Sequence, residues 1–213
     1  MSIPFKINNG RQTAKTCLII PIDKTDGYVI EYIKRAQSLR KGDGMDKRER
    51  LIGLYTRVYS RPKGVALLKL LGAVSVAYVV LAFTTVNLGL LLDGKYAECA
   101  RLCAVSAIPF AAVSAMRFVL NAPRPYEAVD FVPFALLRQE RKSGRSFPSR
   151  HVFSAFLIGT LALSYSVPLG VITLLVGAII ALTRVLLGIH FTRDALVGGI
   201  IGVLSGVIGM LFL

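Results

Sequence analysis

The sequence predicts an all-α protein, a polytopic membrane bundle of about five transmembrane helices. Two observations lead to this class. Apolar residues make up 54% of the 213 residues, above the roughly 45–50% of an average soluble domain. Several runs also reach the roughly 20 apolar residues that a helix needs to cross the hydrocarbon layer of a membrane. Because these runs begin only after residue 64, we divide the chain into a leader, residues 1–64, and a transmembrane domain, residues 65–213.

The leader is basic, with 14 lysines and arginines against 6 acidic residues. Its residues 46–60 show a helical pattern, which predicts a helix on the membrane surface. Basic clusters beside membrane spans favour anionic lipid rather than nucleic acid as partner. The codons before Met45 can form a purine run that resembles a bacterial ribosome-binding site. We therefore hypothesise that translation starts at Met45 and that residues 1–44 are an extension from gene calling.

Five apolar runs follow the leader. The predicted spans cover residues 66–92, 97–120, 149–166, 168–187 and 194–213. The last span carries Gly198, Gly202 and Gly206 at four-residue spacing, and small residues at this spacing permit close helix packing. We expect this glycine face to pack within the bundle rather than between two copies of the chain.

Polar residues at the ends of the spans form three clusters. The clusters are Arg117 with Arg124, Ser149 with Arg150 and His151, and Arg184 with His190 and Asp194. Charged groups at such positions are costly unless they are paired, hydrated or functional. Because consecutive spans cross the bilayer in alternate directions, all three clusters fall on one face. The sequence therefore predicts one shared site.

The residue types in this site suit a phosphate group. Arginines bind tetrahedral anions through charge-assisted hydrogen bonds, and Ser149 precedes a helix start, where free N–H groups favour an anion. A histidine can attack phosphorus or protonate a leaving oxygen. His190 and Asp194 are four residues apart and can touch on a helix, so that the carboxylate would orient one ring nitrogen. With two histidines and no cysteine near either, the sequence predicts neither a metal site nor a cofactor.

A single arginine at a span end has a simpler explanation, as an anchor whose charge reaches the membrane surface. We expect the basic residues of the 121–148 loop to form a face that meets solvent or lipid headgroups, and we place them outside the site. They are Arg138, Arg141, Lys142 and Arg145.

The three clusters resemble the three-part signature of the type 2 phosphatidic acid phosphatase family, whose helical core is shared with vanadium haloperoxidases. The signature reads KxxxxxxRP, PSGH and SRxxxxxHxxxD, and the resemblance covers residues 66–213. It implies a membrane phosphatase domain with the haloperoxidase-like core, which hydrolyses a lipid phosphomonoester or diphosphate without a metal. The substrates that it implies are phosphatidic acid, phosphatidylglycerol phosphate and polyprenyl diphosphates.

The resemblance also implies a role for each residue. His190 would be the nucleophile that forms a phosphohistidine, Asp194 would hold it, and His151 would protonate the leaving group. The residues implied to bind the phosphoryl oxygens are Arg117, Arg124, Ser149 and Arg184.

Three positions depart from the signature: Arg117 replaces lysine, Thr183 replaces serine and Arg150 replaces glycine. A glycine lets backbone N–H groups approach a phosphate closely, so the side chain of Arg150 could crowd that approach. Alternatively it could add a positive group for a doubly charged diphosphate. We expect addition, because every other chemical residue is present, and we count Arg150 among the phosphate-binding residues.

Two alternatives to a hydrolase stay open. One is a transferase on the same scaffold, in which an alcohol accepts the phosphoryl group, and the other is a non-catalytic lipid-binding membrane protein. We expect a multi-pass protein of the cell membrane whose partners are a lipid phosphate substrate and membrane lipids. The basic leader and the 121–148 loop favour a cytoplasmic site, whereas bacterial members of the resembled family usually work on the outer face.

Overall fold

The computed structural model describes residues 47–128 and 144–213, and every regular element in them is a helix. The helices are α1 (Lys47–Tyr59), α2 (Pro62–Leu92), α3 (Tyr96–Leu120), α4 (Pro125–Ala128), α5 (Arg150–Ala162), α6 (Val167–Leu186) and α7 (Thr192–Met210). The predicted all-α class is confirmed. The proposed start at Met45 and the basic residues 138–142 lie outside the described residues.

Four helices of the described residues are long and apolar enough to cross a membrane, namely α2, α3, α6 and α7. Helix α5 is apolar but has only 13 residues, about 20 Å at the helical rise of roughly 1.5 Å per residue. The sequence predicted a span over residues 149–166, so this helix is shorter than expected. It lies at the centre of the bundle, with most of its side chains buried.

Local signals explain where these helices begin and end. Pro62 and Pro168 lie in the first turns of α2 and α6, where the missing N–H of proline costs nothing. Ser166 caps α6 by accepting a hydrogen bond from the backbone N–H of Leu169. Helix α3 ends at Asn121, which adopts a left-handed conformation with φ 38°, as the residue after a helix often does.

The glycine face of α7 packs against α5. A methyl group at Gly198 would lie 2.7 Å from the carbonyl oxygen of Ser149, and one at Gly202 would lie 2.5 Å from that of Phe153. These distances are too short for any residue with a Cβ. The prediction that the glycines serve packing within the bundle is confirmed.

Helix α1, which belongs to the predicted leader, packs onto the bundle. Its Tyr55 is buried against Tyr126 of α4, and the hydroxyl of Tyr59 donates a hydrogen bond to the carbonyl oxygen of Leu187 at 3.1 Å. The predicted helix at residues 46–60 is confirmed as a helix, while its place on the membrane surface stays a prediction. These contacts bring α1 to the end of the bundle where α6 ends.

The three polar clusters meet at that same end of the bundle. Helices α3 and α6 end there, and α5 and α7 begin there. The backbone N–H of Ser149 donates to the carbonyl oxygen of Asp194 at 2.9 Å, and Arg117 donates to the carbonyl oxygen of Ser146 at 3.1 Å. The three clusters therefore lie together at one end of the bundle, as the topology predicted, while their use as one functional site stays a prediction.

Candidate active site

The centre of the site is a buried group of three side chains, Ser146, His190 and Asp194. The hydroxyl of Ser146 donates to Oδ2 of Asp194 and lies 3.3 Å from Nδ1 of His190. The direct distance from Nδ1 of His190 to Oδ2 of Asp194 is 3.9 Å, too long for a hydrogen bond. Ser146 therefore bridges the histidine and the aspartate that the sequence predicted to touch.

This bridge determines which nitrogen of His190 carries the proton. A carboxylate can only accept, so the single hydroxyl proton of Ser146 points to Asp194. The hydroxyl oxygen then faces Nδ1 of His190 as an acceptor, and Nδ1 must carry the ring proton. Nε2 is left with a free lone pair, which is the form of histidine that a nucleophile requires.

Asp194 is held by the turn in which it lies. It is the third residue of α7, and its Oδ2 also accepts a hydrogen bond from the backbone N–H of Phe191 at 3.1 Å. Its other oxygen, Oδ1, lies 3.4 Å from Nε of Arg193. The carboxylate is thus fixed at the start of α7, where the positive end of the helix favours a negative group.

His190 lies in the turn between α6 and α7 and is almost fully buried. This burial lowers the pKa of His190 below its ordinary value of 6.5, and the Asp194 carboxylate opposes the shift. The positive charges of Arg124 and Arg117 lower the pKa further. The ring is therefore neutral at pH 7.

Ser149 occupies the position before the first turn of α5. Its backbone N–H is used by the carbonyl oxygen of Asp194, while its side chain makes no capping bond. Its hydroxyl oxygen is buried and has no hydrogen-bond partner among the described residues. Because buried hydroxyls normally have a partner, this hydroxyl is suited to donate a hydrogen bond to an incoming acceptor such as a phosphoryl oxygen.

Arg117 is buried and supports the chain segment that leads to Ser149. Its Nη1 donates to the carbonyl oxygens of Ser146 and Pro148. A guanidinium has five N–H donors, so these bonds leave donors for an anion. The residue in the lysine position of the signature thus also holds the backbone of the site, which a point-like ammonium group would do less well.

Arg124 is held by hydrogen bonds that join the segment around it to the segment at Gly144. Its Nε donates to the carbonyl oxygen of Gly144 at 3.0 Å. Glu127 accepts from the backbone N–H of Arg124 at 2.7 Å and from that of Gly144 at 2.9 Å. Gly144 has φ +70°, and a Cβ there would collide with the side chain of Asn121, so the position requires glycine.

His151 joins the three clusters electrostatically. The arginines whose charges act on it are Arg184, Arg150 and Arg117, and the His190 ring also lies close enough to interact with it. All eight predicted site residues therefore lie in one region, although they differ in exposure. His190, Asp194, Ser149 and Arg117 are buried, Arg124 and Arg184 are half-buried, and Arg150 and His151 are exposed.

An apolar cavity of about 600 Å³ lies beside His151 and Arg150, which form part of its wall. The other lining residues come from α2, α3, α5 and α6, and nearly all are apolar, such as Val79, Phe83 and Phe110. A cavity of this size and chemistry suits a hydrocarbon chain.

Two functional features were missed in the sequence. Ser146 lies in a polar run before the second cluster, and nothing in a single sequence separates it from Ser143. Glu127 looked like an ordinary loop carboxylate, although its spacing of three residues from Arg124 was a possible signal. In the part of the chain that the structure describes, no three His, Cys, Asp or Glu side chains are grouped as metal ligands.

The fold and the candidate site together describe a multi-pass membrane protein in which a histidine, a carboxylate and arginines lie together at one end of the helical bundle. The family model for the PAP2 superfamily matches residues 98–213, and the chain belongs to this superfamily. No curated protein sequence matches it.

Two solved structures share the fold. Aquifex aeolicus LpxE is 22% identical with a TM-score of 0.56, and the match covers 75% of this chain and 94% of LpxE. The first transmembrane PAP2 type phosphatidylglycerolphosphate phosphatase from Bacillus subtilis is 17% identical with the same TM-score of 0.56. That match covers 87% of this chain and 94% of the phosphatase.

Proposed function

We propose that this protein is an integral membrane phosphatase that hydrolyses the phosphomonoester or diphosphate of a lipid through a phosphohistidine. The observation that carries the proposal is the Ser146 bridge, which leaves Nε2 of His190 unprotonated in the field of the buried Arg117 and the half-buried Arg124. An unprotonated imidazole beside cationic anion-binding groups is the arrangement that attack on phosphorus needs.

In the proposed reaction, the phosphoryl oxygens bind Arg117, Arg124, Arg184 and the free hydroxyl of Ser149. Nε2 of His190 attacks phosphorus, and the bond from phosphorus to the leaving oxygen breaks. His151 gives that oxygen a proton. As His190 forms its bond, positive charge develops on the ring and is stabilised through Ser146 by the Asp194 carboxylate.

The second half of the reaction releases phosphate. Water attacks the phosphohistidine, and His151, now unprotonated, accepts a proton from this water. The bond between Nε2 and phosphorus breaks, so that inorganic phosphate leaves and His190 returns to its starting form. These steps need only groups of the protein and a water molecule.

The apolar cavity supports a lipid as substrate. It lies against His151, the group that would protonate the leaving oxygen, and apolar side chains of α2 and α3 form much of its wall. One of the two solved structures of the same fold is described as acting on phosphatidylglycerolphosphate. A site on the cytoplasmic face, which the basic charges favour, stays a prediction.

The test measures phosphate release from phosphatidic acid, phosphatidylglycerol phosphate and a polyprenyl diphosphate by the purified chain in detergent with EDTA present. We expect release from at least one lipid, and a loss of at least about 1,000-fold in His190→Ala, because a nucleophile cannot be replaced by its neighbours. Lys95→Gln serves as the control, since Lys95 is exposed and pairs with Glu98 before the first turn of α3, far from the site.

Three outcomes separate the alternatives. Full activity in His190→Ala would disprove the mechanism. Transfer of the phosphoryl group to an added alcohol in preference to water would favour the transferase. Lipid binding without any phosphate release by the wild type would favour the non-catalytic protein.

A further inference from the structure

Arg150 stands where the signature of the family has glycine, and the structure shows where its side chain goes. Arg150 is exposed, whereas the preceding Ser149 is buried. The guanidinium lies over the ring of Phe110 in α3, 5.9 Å from its centroid. The side chain therefore extends away from the backbone of Ser149 and does not crowd the phosphate position that Ser149 offers.

The position of Arg150 in the cavity wall relates its charge to the leaving group of the proposed reaction. Arg150 and His151 both form the wall of the apolar cavity. In the proposed function, on which this inference rests, His151 protonates the leaving oxygen and the cavity holds the lipid chain. On that function the charge of Arg150 lies on the side of the leaving group, whereas Arg117 and Ser149, the proposed phosphate-binding residues, are buried.

We propose that Arg150 binds a negative charge on the leaving group and makes the site selective for lipid diphosphates over lipid monophosphates. When the terminal phosphoryl group of a lipid diphosphate is transferred to His190, the bond from the terminal phosphorus to the bridging oxygen breaks. The leaving group is then a lipid monophosphate, which is itself an anion. A lipid monophosphate instead releases a neutral alcohol, which a guanidinium stabilises much less than an anion.

The contact with Phe110 makes Arg150 suited to this role. Stacking of a guanidinium on an aromatic ring leaves its edge N–H groups free for hydrogen bonds. Since these donors are positioned before the substrate arrives, their attraction to the charge that builds up on the bridging oxygen costs little reorganisation.

The test compares farnesyl diphosphate with farnesyl monophosphate, because the two share one hydrocarbon chain and differ in the charge of the leaving group. The purified full chain is assayed in detergent, and the readout is the ratio of kcat/KM for the diphosphate to kcat/KM for the monophosphate. We expect a ratio above one for the wild type and a ratio lower by about 10-fold or more in Arg150→Gln, the size of a lost hydrogen bond between charged groups.

Arg145→Gln is the matched control. Its guanidinium also lies over an aromatic ring of α3, 4.7 Å from the centroid of Phe118, but Arg145 is not part of the cavity wall. We expect the ratio to stay at the wild-type value in this variant. Arg150→Lys keeps the charge and should give a ratio between those of the wild type and Arg150→Gln. If Arg150→Gln does not fold, a lower ratio in Arg150→Lys than in the wild type tests the assignment instead.

The possible failures can be told apart. If the wild type hydrolyses neither compound and no other lipid phosphate, the proposed function fails and this proposal fails with it. If the wild type is active but prefers the monophosphate, or if its ratio changes less than about threefold in both Arg150 variants, only the assignment of Arg150 is wrong.

Discussion

Replacing Ser146 by alanine tests the central arrangement of the site. The substitution removes one oxygen atom, and with it both hydrogen bonds of the bridge between His190 and Asp194. The remaining distance of 3.9 Å from Nδ1 of His190 to Oδ2 of Asp194 is too long for a direct hydrogen bond. Without the bridge, no hydrogen bond from residue 146 favours the His190 tautomer that has its proton on Nδ1. The positive charge that develops on the ring is also less well stabilised by the Asp194 carboxylate.

The size of the effect follows from the bonds that are lost. Hydrogen bonds that involve a charged group contribute about 1.5–3 kcal/mol, and each 1.36 kcal/mol of barrier changes a rate about tenfold. We therefore expect kcat to fall about 10- to 100-fold. The KM should change much less, because Ser146 is fully buried and acts on the substrate only through His190.

The assay is steady-state hydrolysis of the best lipid substrate by wild type, Ser146→Ala and Ser146→Thr, with kcat and KM determined separately. Threonine restores a hydroxyl, so it should recover part of the lost kcat. Thr84→Ala is the control, because Thr84 is exposed on α2, its hydroxyl bonds only to the carbonyl oxygen of Val80 in the same helix, and it is not part of the cavity wall. If Ser146→Ala kept kcat within threefold of the wild type, or if its loss lay entirely in KM, the bridge would not position the nucleophile.

The other predictions concern pH and packing. Since the Asp194 carboxylate raises the pKa of His190, Asp194→Asn should move the acidic limb of the kcat/KM profile to lower pH while reducing kcat; a shift to higher pH would contradict the electrostatics described above. Gly198→Ala should lower the free energy of unfolding by about 1–3 kcal/mol, because its Cβ would lie 2.7 Å from the carbonyl oxygen of Ser149. The loss is measured as a lower melting temperature in detergent. Gly89 of α2 has open space around it, so Gly89→Ala should instead gain about 0.5–1 kcal/mol, and equal shifts in the two variants would contradict the packing of α7 on α5.

Much of the site could be predicted from the sequence because it depends on topology. Once the apolar runs are counted as membrane crossings, the ends of α3 and α6 and the starts of α5 and α7 must share a face. The residue types at those ends then indicate phosphate without further geometry. This argument brings His151, His190 and the arginines together, and the structure agrees.

The contacts inside the site could not be predicted in this way. The spacing of His190 and Asp194 suggested a direct contact on one helix, but His190 lies in the turn before α7 and is not part of that helix. The bridge by Ser146 depends on how the segment before α5 lies against α7, which is a tertiary contact between residues 48 positions apart. Sequence periodicity carries no information on such contacts.

The length of α5 was mispredicted for a related reason. The apolar run continues past Ala162, and hydrophobicity is the same whether a segment faces lipid or the interior of a bundle. The helix ends at Ala162 and a turn leads to Ser166, whose hydroxyl begins α6. Only the burial of α5 among its neighbours shows that it belongs to the interior.

The same contact that stabilises the bundle also forms the site. Helices α5 and α7 make the most extensive helix contact among the described residues, and Gly198 lets their backbones approach at Ser149. At that point the N–H of Ser149 binds the carbonyl oxygen of Asp194, while the side chain of Asp194 reaches His190 through Ser146. A small displacement of α7 therefore acts on the phosphate-binding serine and on the orientation of the nucleophile at once. For this reason, changes in the glycine face should reduce kcat even where the folded bundle persists.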